Sequence, residues 1–247
     1  ATDLRSHLGT PVVRAPLPIA PSFTPLFADG GLVRGRTVAC TGDAALSTAL
    51  ALAASATRLG SWLAVIGVPQ LGVGAAIEAG VAIERIVLAQ PPRASREWVA
   101  TVAALVEGFD VLIVAPPTSL SAHDARRLQT RVAARQSVLI VVHLPPPLAP
   151  HTRLAPHAPQ VFGADLDVRA DTVAWSGIEQ GGSHITQRMV HVRVLVAGVP
   201  HRVKPPLIVM RDEPTRVVVV QFPHWSLLAA ALGRGARSAF EPIVRAV

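Results

Sequence analysis

Short, unbroken apolar runs alternate with helix-like stretches through the middle of the chain. Val38-Ala39-Cys40, Leu63-Ala64-Val65-Ile66, Val111-Leu112-Ile113-Val114 and Val138-Leu139-Ile140-Val141-Val142 carry no polar alternation. Runs of that kind read as strands covered on both faces, which is the habit of a parallel sheet. The pattern predicts strand 36–41, helix 44–59, strand 62–68, helix 73–80, strand 84–89, helix 95–107, strand 109–115, helix 121–135 and strand 137–143. Strands alternating with helices of this length imply βαβ units, hence a doubly wound α/β core with helices on both faces. In the helix from Ser95, the residues Trp98, Val102 and Leu105 recur at i, i+4 and i+7 and make one stripe to bury. In the next, Ser121 precedes Asp124 by three residues, a capping box with the shorter acid, and Arg127, Arg131 and Arg135 line another side.

The two ends read differently. Residues 1–29 are punctuated by Pro11, Pro16, Pro18, Pro21 and Pro25, so they are expected as an extended arm ahead of the fold. Residues 144–160 hold six prolines with His151, Arg153 and His157 and form a long loop. Beyond it the helices give way to local hairpins: a strand over Ala164–Trp175, a turn at Gly181-Gly182, a strand over Met189–Ala197 and another near Leu207–Met210. The sheet is therefore expected to finish antiparallel. Arg211-Asp212-Glu213-Pro214 reads as a linker, Val217–Phe222 as a strand, and a last helix starts at Trp225. The organisation expected is an arm (1–29), a core domain (30–210) and a strand–helix appendage (211–247), without internal repeats.

Composition narrows the chemistry. Half of the 247 residues are hydrophobic, 16% are charged and 4% are aromatic, which is globular α/β composition. The formal charge of +7 favours nucleic acid or an acidic partner, though charge speaks to association and not to fold. Cys40 is the single cysteine, so an internal disulfide and a cysteine-based zinc site are both excluded. It sits in an apolar strand and reads as a buried, inert thiol in a reducing cytosol. No apolar run reaches the length of a membrane span, and Ala-Thr-Asp-Leu-Arg does not read as a signal peptide. The nine histidines include no pair at H-x₃-H spacing, so no metal site is expected. Asp165 and Asp167 share a strand face and are read as solvent-facing acids.

The segment Gly31-Leu32-Val33-Arg34-Gly35-Arg36-Thr37-Val38, then Gly42-Asp43-Ala44-Ala45-Leu46-Ser47-Thr48-Ala49, reads as strand, glycine-initiated loop and helix. That layout sets a nucleotide's phosphates on N–H groups at a helix N-terminus. A working P-loop is GxxxxGK[ST], with a lysine for the β/γ-phosphates and a hydroxyl for magnesium. Here the last three positions hold Ser47, Thr48 and Ala49, and the sole lysine of the chain is Lys204. Gly42, Ser47 and Thr48 are read either as an anion-holding loop or as an ordinary strand-to-helix turn.

From Gly31 to about Met210, through "GLVRGRTVACTG", "VLIVAPPTSL", "ADLDVRADTVAWSG" and "RMVHVRVLV", the chain resembles the RecA core. Within that superfamily it is similar to the actinobacterial ImuA-prime type, an accessory protein of an inducible mutagenic DNA-synthesis complex. The resemblance implies a RecA-like sheet, mainly parallel and antiparallel at its C-terminal end. It places the P-loop pair on Thr48 and Ala49, the strand-end acid on Ala115 and the water-activating glutamate near Pro69, so none of the four chemical roles has its residue. The strand before the Pro-rich loop ends at His143-Leu144, where the family has an Asn-Gln sensor.

The function expected is therefore a non-catalytic adaptor, a pseudo-ATPase without cofactor, in damage-induced translesion synthesis. The resemblance implies a cytoplasmic, nucleoid-associated protein that binds an ImuB-type polymerase-like scaffold and, through it, a C-family error-prone polymerase and the sliding clamp. A DNA-binding module, using Arg127, Arg131 and Arg135 to track phosphates, is the second reading, and an ATPase with an unorthodox P-loop the third. "VVVVQFPHWSLLAAAL" looks like the opening strand and helix of a Y-family polymerase palm. Its Phe222, Trp225, Leu227 and Leu228 are the candidate partner-binding cluster, with packing on the core's last strand as the alternative.

Overall fold

Each of the four apolar runs becomes a strand of one sheet. The structure, a computed structural model, describes residues 14–92, 94–144, 161–176, 187–196 and 218–223. In chain order the elements are β1 (Leu17–Pro18), β2 (Gly31–Leu32), β3 (Thr37–Thr41), α1 (Ala45–Arg58), β4 (Leu63–Ile66), α2 (Val73–Glu78) and β5 (Ile86–Ala89). There follow α3 (Ser95–Leu105), β6 (Val111–Val114), α4 (Ala122–Arg135), β7 (Val138–Val142), β8 (Leu166–Ser176), β9 (Gln187–Val196) and β10 (Val218–Pro223). The expected boundaries from 36 to 143 hold within a few residues, with a single 3₁₀ turn, Ile83–Arg85, leading into β5. The expected strand near 207–210 and the helix from Trp225 lie outside the described residues.

The eight-stranded sheet has the order β10-β9-β8-β3-β7-β6-β4-β5. From β8 to β5 all neighbours are parallel. β9 runs antiparallel to β8, and β10 antiparallel to β9, so the sheet does finish antiparallel. Successive residues of the parallel strands serve opposite layers. Leu63, Val65, Val111, Ile113, Val138 and Ile140 pack with α1 and α2, whereas Ala64, Ile66, Leu112, Val114, Leu139 and Val141 pack with α3 and α4. Two-sided burial is why these runs carry no polar residue. The Trp98 stripe faces the second layer as expected, with Trp98 and Val102 buried and Leu105 packed against them. At the start of α4, the Ser121 hydroxyl accepts from Asp124 N–H at 3.1 Å and donates to the Asp124 carboxylate at 2.7 Å.

The described part of the N-terminal segment, residues 14–29, packs on the core and does not stand ahead of the fold. β1 pairs antiparallel with β2, and Leu17, Ile19, Phe23 and Phe27 are buried in the α1 layer. The prolines keep the segment's regular elements short, a two-residue strand and one 3₁₀ turn at Thr24–Leu26, and the apolar side chains between them join the core.

β8 carries the chain to the loop at the head of α1. Its pairing with β3 ends at Thr41↔Arg169, and β8 continues to Ser176 while pairing with β9. The β8–β9 ribbon thus projects past the carboxyl end of β3, beside the β3–α1 loop.

Candidate functional site

The loop between β3 and α1 is three residues long: Gly42, Asp43 and Ala44. GxxxxGK[ST] sets four residues between its two glycines alone, so this loop is too short to wrap a phosphate in that manner. Because α1 begins at Ala45, Ser47, Thr48 and Ala49 all lie inside the helix and are buried. Thr48 and Ala49 have no exposed surface at all. Pro69 stands exposed in the β4–α2 loop, and Ala115 follows β6 with its N–H given to the Ile66 carbonyl.

Two N–H groups at the head of α1 are already bonded within the chain. Ala44 N–H donates to the Ala170 carbonyl of β8 at 3.1 Å, and Ala45 N–H donates to the Gly42 carbonyl at 3.3 Å. Gly42 has φ +93, the left-handed region open to glycine, and hugs β8 closely. No side chain caps α1 at Ala44. Asp43 precedes that N-cap residue by one position, and the helix dipole favours a negative charge near this end.

Into this corner β9 sends Arg188, only 3% exposed. Its Nε donates to Thr172 Oγ1 at 2.9 Å, its Nη1 to Ser47 Oγ at 3.4 Å and its Nη2 to Asp43 Oδ2 at 3.3 Å. Thr172 N–H donates to the other Asp43 oxygen at 2.7 Å. Burial pulls the Arg188 pKa down and the Asp43 charge opposes that pull. An arginine keeps its proton throughout. The corner therefore holds one buried cation, one half-exposed carboxylate and two hydroxyls, all from this chain.

Asp43, Thr172 and Arg188 were not singled out from the sequence, yet a signal for Arg188 existed. On β9 the buried residues Val190 and Val192 set the inward phase, and Arg188 falls on it. An arginine in phase with a strand's buried set needs an internal partner. On the opposite face of the ribbon Asp171 accepts from Arg169 at 2.9 Å and from Arg193 at 3.0 Å. Asp165 and Asp167 are not free strand acids. Asp165 accepts from Arg36 at 2.6 Å and from Thr37 N–H at 2.8 Å, and Asp167 accepts from the Thr41 hydroxyl at 3.3 Å.

The candidate arginine row is divided. Arg131 and Arg135 both pair with Glu107 at the end of α3, whereas Arg127 is exposed and makes no ion pair among the described residues. Phe222 lies in β10, where its backbone pairs with that of Arg188, while Trp225, Leu227 and Leu228 lie outside the described residues. Cys40 is fully buried, with its pKa raised by that burial and further by Asp167. Among the described residues no group of three or more His, Cys, Asp or Glu is placed to hold a metal, and no helix is long and apolar enough to cross a membrane. A groove of about 220 Å³, lined by Leu71, Val73, Ala76, Ile83, Ile86 and Leu88, opens at the β5 edge and not at the loop.

Among solved structures the chain is similar to the KaiC-like protein PH0186 from the hyperthermophilic archaeon Pyrococcus horikoshii OT3. The match covers 85% of this chain and 94% of that one, with 15% identity and a TM-score of 0.51. The fold is RecA-like. Identity at that level speaks to the fold alone. Residues 25–147, from before β2 to just past β7, match the family model of the MT3502 N-terminal domain. No curated protein matches the chain.

Proposed function

We propose that this RecA-like chain is a non-catalytic adaptor, a pseudo-ATPase in damage-induced mutagenic translesion synthesis that binds an ImuB-type polymerase-like scaffold. One observation carries the reading: at the head of α1 the loop is three residues long, the Ala44 and Ala45 N–H groups are bound to the chain's own carbonyls, and a buried arginine lies beside them. Phosphoryl transfer needs a phosphate cradle, a magnesium hydroxyl and carboxylates at the neighbouring strand ends. The positions that would serve are Thr48, Ala49, Ala115 and Pro69, and none has the chemistry. A fold kept without that chemistry is suited to presenting surfaces.

The surface we assign to the scaffold is the appendage from β10 onward, with Phe222, Trp225, Leu227 and Leu228 as anchors. Through the scaffold it meets the C-family polymerase and the sliding clamp. Aromatic anchors with arginine neighbours, here Arg234 and Arg237, are the usual makings of a binding hot spot. Co-purification with an ImuB-type partner, with and without residues 211–247, tests the reading. Capture by the full chain and its loss in the truncated one is the expected result, and Trp225→Ala should abolish capture while the isolated protein keeps its melting temperature. Equal capture by both chains places the partner surface elsewhere, and no capture by either removes the adaptor role. A DNA-binding role is the second reading, favoured by Arg127, which is exposed and has no ion pair among the described residues.

A further inference from the structure

We propose that Asp43 and Arg188 form an internal lock that occupies the head of α1 and holds the β8–β9–β10 ribbon in one position whatever the nucleotide supply. The inference rests on the pseudo-ATPase reading and says what has taken over the vacant corner. At the positive end of α1 a bare cation is disfavoured, and an anion is favoured. A buried Arg188 can lie there because the Asp43 carboxylate stands with it, bonded to Arg188 on one oxygen and to Thr172 N–H on the other. The same carboxylate therefore ties three segments: the loop it sits in, β8 through Thr172 and β9 through Arg188. Ser47 adds a fourth contact from within α1.

Backbone contacts reinforce the lock. Ala44 N–H is bonded to Ala170, and a Cβ at Gly42 would lie 2.1 Å from the Ala170 carbonyl oxygen, so loop and strand touch along their backbones. Register then carries the constraint outward, because the Arg188 backbone pairs with Phe222 in β10, the strand that opens the proposed partner-binding segment. Where a nucleotide site gains and loses a γ-phosphate, this corner holds groups that belong to the chain. The adaptor would present its outer edge constantly and depend on its abundance alone.

A double-mutant cycle in the full chain tests this, using Asp43→Asn, Arg188→Gln and the pair. Melting temperature and amide hydrogen exchange are read together. Each single change should lower the melting temperature by roughly 4 °C or more, and the pair should fall no further than the worse single, because both remove the same contact. Exchange should quicken at residues 170–172 and 188–190 in all three. Additive losses, or unchanged exchange at those residues, overturn the lock. If Arg188→Gln does not fold, Thr172→Val removes one hydroxyl only, and it should still quicken exchange at 188–190; unchanged exchange there overturns the proposal equally. A magnesium-ATP arm on the unaltered chain separates the two claims. A thermal shift that survives Arg188→Gln sinks the pseudo-ATPase reading and leaves the lock to be judged by the cycle. A shift abolished by Arg188→Gln makes Arg188 a nucleotide ligand and sinks both.

Discussion

A Cβ on Gly42 would stand 2.1 Å from the carbonyl oxygen of Ala170 and 2.8 Å from the Asp171 carboxylate. The two backbones approach because Ala44 N–H must reach Ala170, and the φ of +93 at Gly42 turns the chain to let it. Gly42→Ala is therefore expected to cost about 2 kcal/mol or more, from the positive φ and the clash together. The shift of the urea midpoint measures it. A neutral substitution would show that the loop can move off β8.

Magnesium-ATP should produce neither hydrolysis nor a rise in melting temperature. Rebuilding the P-loop pair as Thr48→Lys with Ala49→Thr should not restore either one. Both positions are fully buried in α1, so the new ammonium would be placed in the first core layer. A loss of roughly 3 kcal/mol or more is expected, read by urea unfolding. Phosphate release by the double variant would contradict the assignment of these residues to the helix interior.

Cys40 predicts an alkaline effect. Its pKa is raised by burial and then by Asp167. A thiol with a folded pKa above the unfolded value of about 8.5 holds its proton more tightly when folded. Its stabilising share is thus complete below about pH 8.5 and declines as the pH climbs toward the folded pKa. Cys40→Ala should flatten that decline between about pH 8.5 and 10. A thiol reagent should react only as fast as the chain opens; rapid labelling of the native protein would refute the buried placement.

Arginines on α4 should give weak, sequence-independent DNA binding at most. Glu107 already pairs with Arg131 and Arg135, so the slope of log affinity against log salt on single strands should be about −2 or shallower. Glu107→Gln frees both guanidinium groups and should raise affinity roughly two- to threefold at low salt, if this face meets DNA. An unchanged affinity would take the row out of any nucleic-acid contact.

From residue 36 to 143 the sequence alone determined the elements and, with its change to hairpins near 164, the architecture. Val111–Val114 and Val138–Val142 are local apolar signals, and their lack of polar alternation already implied a sheet covered on both faces. The absence of a P-loop lysine was equally plain, since Lys204 is the only lysine. The tertiary structure decided what stands in the vacant corner. Arg188 and Asp43 are 145 positions apart, and they meet because β8 outruns β3 and the β8–β9 register, broken by a shift between Thr172 and Ala174, sets Arg188 at the loop. The same holds for Phe23 and Phe27, whose proline neighbours signal an extended arm while the open face of the α1 layer draws them in. Local periodicity is fixed by backbone geometry and can be read residue by residue. Which distant groups share a corner depends on register and on desolvation, and those exist only once the sheet has formed.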